Sequence, residues 1–311
     1  MRFPWQVEWR TAAERLMYRD LSLQTLGLAA TQAEQIELAL TYGFRGLDLD
    51  VVEFQERVAT YGMPHSRRLL DSAKLRITAC RLPLDPAADE PDFRQALEQF
   101  KPQAELAAAI GCTRVVTTLA PGCDSLPYHE NFELHRKRFG EIAAVLAPLE
   151  MRLGVGFAAA ANLRSDKSFE FIHKLDALVM LVGTVGAKNV GVVVDLWDHY
   201  ASGGTIEELR KLSPQQIVQV CVADAPLDRP REELTNEERL LPCETGVIDL
   251  PAQLVLLAEV GYDGPITPVP DRQRMGNLGR DATIRQIGAA MDQLWKAAGL
   301  TPGGKLSAVR S

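Results

Sequence analysis

Short runs of β-branched and apolar residues alternate along this chain with longer stretches whose apolar residues recur at helical spacing. The β-like runs fall at residues 21–27, 46–51, 75–81, 113–119, 151–157, 189–195, 217–223 and 265–269. Helix-period stretches follow at 33–42, 93–110, 132–146, 169–185, 250–260 and 284–298. Start signals agree with this reading. Thr31 with Glu34 makes a capping box, and Asp249-Leu-Pro251 sets a cap before an early helical proline. Gly43, Gly111, Gly186 and Gly261 each stand between a helical run and the next strand. Eight βα units in one chain predict a closed (β/α)8 TIM barrel of the α/β class. An open doubly wound sheet would carry a glycine-rich first turn, and no such turn follows residues 21–27.

Three segments follow from this pattern. Residues 1–20 read as an N-terminal extension with a short helix over 11–18; residues 21–300 form the barrel; residues 301–311, with Pro302-Gly-Gly304, read as a flexible tail. The charged connection over 225–250 interrupts the alternation, and long loops on the carboxyl face of a barrel commonly hold substrate.

Composition narrows the function classes. The formal charge is −7, from 34 basic and 41 acidic residues, which argues against nucleic acid as a partner. The absence of a long uncharged apolar run argues against a membrane partner. Five cysteines without a CxxC pair read as reduced thiols, and no apolar leader opens the chain, so the expected location is cytoplasmic.

The chemistry concentrates where strands end. In a barrel these ends converge on one pocket, and here they offer Gln24, Asp48 or Asp50, Arg81, Thr117, Gly156, Asp195, Asp224 and Val269. Either Asp48 or Asp50 could instead cap the following helix. Asp195 closes the run Val192-Val-Val-Asp195, and a carboxylate at the end of a buried strand needs a partner. Asp224, in Val222-Ala-Asp224, has the same character.

Several stretches resemble the xylose isomerase-like superfamily of sugar isomerases and epimerases, which also contains inosose dehydratases and an apurinic endonuclease branch. They are Leu21-Ser-Leu-Gln-Thr-Leu-Gly27, Tyr42-Gly-Phe-Arg-Gly-Leu-Asp48, Asp195-Leu-Trp197 with Ser202-Gly-Gly-Thr205, Val222-Ala-Asp224, Arg239-Leu-Leu-Pro242 with Gly246-Val-Ile-Asp249, and Gly261-Tyr-Asp-Gly-Pro265. The resemblance implies a divalent ion held by Glu, Asp, His and Glu, with the two glutamates moving a proton beside a carbonyl. Carried onto this chain, those positions hold Gly156, Asp195, Cys221 and Val269. Only Asp195 keeps its ligand type. The endonuclease branch needs a histidine-rich metal cluster, and the histidines here are His65, His129, His135, His173 and His199.

The resemblance therefore implies a sugar isomerase/epimerase-like barrel with an eroded metal site that binds a sugar, sugar phosphate or polyol. The alternative is an active isomerase, epimerase or dehydratase working through substitute groups. Asp195 and Asp224 are the candidate catalytic residues; Gln24, Arg81, Trp197, His199 and Arg239 are the candidate substrate-binding residues. No metal or other cofactor is expected, unless Asp195, Asp198, His199 and Cys221 rebuild a site for Zn, Mn or Mg. The expected partner is a small-molecule sugar or polyol, with a homo-oligomer left open.

Overall fold

The computed structural model describes residues 16–307. Within them the strands are β1 (Tyr18–Leu21), β2 (Gly46–Leu49), β3 (Arg76–Arg81), β4 (Arg114–Leu119), β5 (Gly122–Cys123), β6 (Arg152–Phe157), β7 (Phe169–Glu170), β8 (Val190–Asp195), β9 (Ile217–Val222) and β10 (Pro265–Pro268). Eight of these close into a parallel barrel, ordered β1-β2-β3-β4-β6-β8-β9-β10 and back to β1. The two short strands β5 and β7 pair antiparallel outside it. The expected (β/α)8 TIM barrel is therefore the fold.

The long helices follow their sequence signals. Helix α1 (Gln32–Thr41) carries the complete Thr31/Glu34 capping box. Helices α2 (Val51–Tyr61) and α3 (Met63–Ala73) fill the β2–β3 connection, and Asp50, not Asp48, caps α2. Next come α4 (Glu90–Ala109), α5 (Tyr128–Leu146), α6 (Leu175–Val185), α7 (Leu196–Ala201), α8 (Ile206–Arg210), α9 (Leu250–Glu259) and α10 (Arg280–Ala297). Phe44, Phe93, Phe100, Phe139 and Ile142 are fully buried in the apolar core. No helix among the described residues is long and apolar enough to cross a membrane.

Four boundaries differ from the sequence reading. The first strand is Tyr18–Leu21, and residues 23–27 form turns closed by Leu28 N–H to the Leu23 carbonyl at 2.9 Å. Arg19 and Asp20 disguise the strand as polar, although Asp20 is completely buried. The expected helix over 11–18 lies mostly outside the described residues, and Tyr18 belongs to β1. Residues 301–307 fold back on the barrel: Leu300 bridges Leu306, and Gly304 packs so closely on the Met17 carbonyl that no side chain fits there. The barrel unit thus extends past both expected boundaries. The long helical reading at 169–185 also splits, since Phe169–Glu170 pair as β7 and the helix starts at Leu175.

The barrel interior is polar at mid-height. A Cβ at Gly46 would lie 2.3 Å from Thr78 Oγ1, 2.6 Å from the Tyr18 ring and 2.7 Å from Asp20 Oδ1. Glycine is required because the inner faces of β1, β2 and β3 approach this closely. Gly46→Ala should therefore cost about 1–3 kcal/mol by overpacking. Urea denaturation of both proteins measures this, and an unchanged midpoint would mean that the inner strand faces have room to spare.

Candidate functional site

A cleft of about 1200 Å³ opens at the carboxyl ends of the barrel strands. Gln24, Asp48, Arg81, Thr117, Gly156, Asp195, Cys221, Arg239 and Val269 all line it. These residues come from separate strands and connections, so the topology gathers them as strand ends of a barrel should.

The wall of the cleft is built on Asp195. It ends β8 and caps α7, its Oδ1 accepting the Trp197 N–H at 2.9 Å and the Asp198 N–H at 3.2 Å. Its Oδ2 accepts from Arg239 Nη1 at 2.9 Å. Arg239 Nη2 donates to Asp198 Oδ2 at 2.6 Å, and Arg239 Nε donates to Asn236 Oδ1 at 3.2 Å. Asp198 Oδ1 in turn accepts the Ala159 N–H at 2.7 Å. The guanidinium lies 4.3 Å over the Trp197 ring, a cation–π contact. One arginine from the 225–250 connection is thus clamped by two carboxylates, an amide oxygen and an indole.

Burial sets the electrostatics of this clamp. Desolvation pushes the Asp198 carboxyl up to about 6, with Arg239 pulling it down and Asp195 pushing it further up. Burial also works against the charge on Arg239, but Asp195 and Asp198 outweigh it and hold the guanidinium above the ordinary arginine value. The cation is permanent. The carboxylate beside it can titrate.

Three sequence candidates stand elsewhere. Trp197 is fully buried, with one face covered by Arg239, so it offers no platform to a sugar ring. His199 is 3% exposed, its Nε2 at 2.9 Å from the Thr205 carbonyl and its ring packed against Gly204. Burial lowers its pKa, so the imidazole is favoured in its neutral form. Neither residue lines the cleft. Asp224 is completely buried and accepts four backbone N–H groups: Ala225 at 2.8 Å, Thr245 at 2.9 Å, Gly246 at 2.7 Å and Ile248 at 3.1 Å. Its carboxylate organises the loop before α9 and does not face the cleft. Conversely, Asp198, considered only for a rebuilt metal site, lines the cleft, as do Ser22, Gln219 and Thr267, which had not stood out at all. The inward alternation of β9 and β10, which places Gln219 with Cys221 and Thr267 with Val269, is the signal that finds the last two.

The donor atoms that these strand ends offer are few and mostly engaged. Gly156 and Val269 supply no ligand atom, and both Asp195 oxygens are engaged. Burial, then the charge of Asp195, pushes the Cys221 thiol well above its ordinary value, against the thiolate that zinc requires. Among the described residues no group of three or more His, Cys, Asp or Glu side chains could hold a metal ion. Nor does packing demand a glycine at 156, where a Cβ would meet Val193 at 3.4 Å and Thr118 Oγ1 at 3.5 Å.

Comparison with known proteins gives the class. Residues 36–291 match the xylose isomerase-like TIM barrel family, and the chain belongs to it. It is 24% identical over 197 residues to an inosose isomerase of Bacillus velezensis, an alignment spanning 63% of this chain and 67% of that protein. The structure of a xylose isomerase domain protein from Alicyclobacillus acidocaldarius superposes with a TM-score of 0.81 at 24% identity, covering 91% of this chain and 99% of that one. The IOLI protein, solved with a zinc atom, superposes with a TM-score of 0.74 at 18% identity, over 91% and 98% of the two chains. Both structures share the fold.

Two outcomes test the site. Arg239→Ala leaves Asp195 and Asp198 buried without their cation and should cost about 3–5 kcal/mol at mildly alkaline pH. Arg239 is what pulls the Asp198 pKa down, so in the variant that pKa rises beyond about 6. A raised folded-state pKa stabilises at low pH and loses that contribution as pH climbs through it. The deficit should therefore shrink as pH falls from the alkaline side toward about 6 and level off below that, where Asp198 of the parent is protonated as well. Urea titrations across this range measure it, and a pH-independent deficit would mean that lost packing, not unpaired charge, explains the loss. Asp224→Ala should cost about 3 kcal/mol or more, because each buried N–H left without an acceptor costs roughly 1–3 kcal/mol. Retained native stability in that variant would show that the loop does not depend on the carboxylate.

Proposed function

We propose that this chain is a polyol- or sugar-binding member of its family whose cleft works without a divalent ion, the Arg239 guanidinium serving as its fixed cation. The observation that carries this reading is the clamp itself. Asp195, the one position that retains a ligand type of the family, is engaged by Arg239 at 2.9 Å. A guanidinium carries five N–H donors. Three are taken by Asp195, Asp198 and Asn236, which leaves two for the oxygens of a ligand in the cleft. Arg81 at the end of β3 adds a second guanidinium to the same cleft, suited to hydroxyl or phosphate oxygens. The likeness to an inosose isomerase supports a cyclic polyol or its ketone as the ligand class.

The same arrangement weighs against the proton transfer associated with the two family glutamates, since Gly156 and Val269 cannot accept a proton. A positioned general base contributes about 10²–10⁴-fold in rate. Catalysis, if present, has to draw its acid and base from other groups in the cleft.

Calorimetric titration with myo-inositol, its 2-keto derivative, D-fructose and D-fructose 6-phosphate, with and without chelator, tests the proposal. At least one compound should bind with an affinity indifferent to chelator. Arg239→Lys, which keeps the charge but not the planar fork, should weaken it by roughly tenfold, about 1.4 kcal/mol. Binding that disappears with chelator, or that is unchanged in the variant, would sink the reading.

A further inference from the structure

Below the clamp, the floor of the cleft holds a second polar group of different chemistry. Asp20, on β1, is completely buried, and its Oδ2 accepts the Thr267 hydroxyl at 2.9 Å. Thr267 Oγ1 accepts from Gln219 Nε2 at 2.7 Å. An amide nitrogen cannot accept, so the Thr267 proton must point at Asp20, and Oδ2 is an acceptor. The other oxygen, Asp20 Oδ1, is buried without a donor, and so is Asp48 Oδ1 on the neighbouring strand. β1 and β2 pair with Asp20 opposite Gly46, so Asp48, two residues further along β2, shares the inner face with Asp20. A proton on one of these two orphaned carboxyls would supply the donor that the other lacks. Leaving both ionised would set like charges together beside the fully buried Asp20, at high cost.

We propose that Asp20 and Asp48 share a single proton, carried by Asp48, and that Asp48 uses its remaining oxygen to accept a hydrogen bond from a hydroxyl of the bound polyol. Asp48 is the member that lines the cleft, whereas Asp20 lies behind it with no exposed surface. Burial, then the charge of Asp20, pushes the Asp48 carboxyl well above the usual range; burial raises Asp20 as well. The other charged and titratable groups facing the pair are Tyr18 on β1, Cys80 on β3, Cys112 and Arg114 at the start of β4, and Cys221 on β9. Arg114 is the cation among them, and it favours the negative charge that stays on Asp20. With the proton held between the carboxyls, the cleft floor is a hydrogen-bond acceptor of net charge −1. It suits neutral polyhydroxy ligands and repels sugar acids.

The shared proton is a property of the protein alone; the hydroxyl contact rests on the polyol reading. Asparagine at 48 mimics the protonated acid, its NH₂ donating to Asp20 and its carbonyl facing the cleft. Infrared difference spectra at neutral pH should show a protonated carboxyl stretch in the parent that is absent from Asp48→Asn. The raised Asp48 pKa stabilises the fold below the ordinary carboxylate value near ~4, and that contribution is lost as pH climbs through the folded value. The melting temperature of Asp48→Asn should accordingly fall less than that of the parent between about pH 5 and about pH 8. Absence of the carboxyl band in the parent, or identical pH profiles, overturns the shared proton. With myo-inositol as the probe, Asp48→Asn should bind within roughly threefold of the parent and Asp48→Ala at least roughly tenfold more weakly. Equal binding by Asp48→Ala overturns the contact. Failure of the parent to bind any compound of the polyol panel removes the polyol reading and the contact together, while the infrared and melting results still decide the proton.

Discussion

The buried contact between Arg239 and the carboxylates of Asp195 and Asp198 is the constraint on which the cleft wall depends. It joins segments far apart in the chain: the end of β8, the start of α7, the turn after β6 through Ala159, and the connection between β9 and α9. Moving these charges out of water costs several kcal/mol per ion, so the pair is tolerable only because nearly every polar atom finds a partner. Asp195 Oδ1 is neutralised further by the N-terminal amides of α7, where the helix favours negative charge. The wall is rigid for an electrostatic reason. Displacing any one member strands the others.

A TIM barrel interior is usually filled by layers of branched apolar side chains. Here the middle layer includes Asp20, Thr78, Gln219 and Thr267, all buried. Space for it comes from small residues beneath and beside it. Gly46 accommodates Thr78 and Asp20, and a Cβ at Gly154 would lie 2.9 Å from the Val218 side chain. The barrel gives up apolar burial here in exchange for a polar chain running from Gln219 through Thr267 to Asp20. Such a chain is stable only when each link is satisfied, and the proton proposed for Asp48 would supply the donor that Asp20 Oδ1 lacks.

The fold was legible because parallel strands buried on both faces are read from unbroken β-branched runs such as Val192-Val-Val194. β1 broke that rule by burying Asp20 against Thr267, a partner some 250 residues away that no local pattern reveals. The convergence of Arg81, Thr117, Gly156, Asp195 and Val269 followed from strand-end position alone, whereas Cys221 entered only through the family resemblance. What the chain does immediately after a strand did not. Helix α7 begins at Leu196, directly behind its Asp195 cap, so the backbone winds at once and carries Trp197 under Arg239 and His199 toward Thr205. Asp224 shows the same limit. A carboxylate just past a strand satisfies its need for partners equally well with loop amides, and the sequence does not distinguish the two. Arg239 stood out through its Arg-Leu-Leu-Pro segment, but its pairing with Asp198 required the coordinates.

The two polar ends of the cleft differ in kind, and that difference gives a ligand a direction. The wall contains two carboxylates and one permanent guanidinium, and the floor contains two carboxyls with one proton between them. With Asp198 ionised, each centre is left with a net charge near −1. The inner cleft therefore disfavours anionic groups and rewards hydroxyls, which can both donate to carboxylates and accept from Arg239. The basic side chains Arg81, Lys167 and Arg272 also line the cleft and are exposed. Lys167 is held by Asp124 at 3.0 Å, whereas Arg81 has no acidic partner in the structure among the ion pairs of the described residues. A ligand that combines a neutral polyhydroxy body with one anionic group would on these grounds enter body first and leave its charge beside Arg81. The same logic sets the ionic-strength response: contacts in the closed floor are little screened, whereas attraction at the exposed cations falls off within a Debye length of roughly 8 Å at physiological salt. A neutral polyol and its phosphate should consequently differ in salt sensitivity, because only the phosphate draws on those exposed cations.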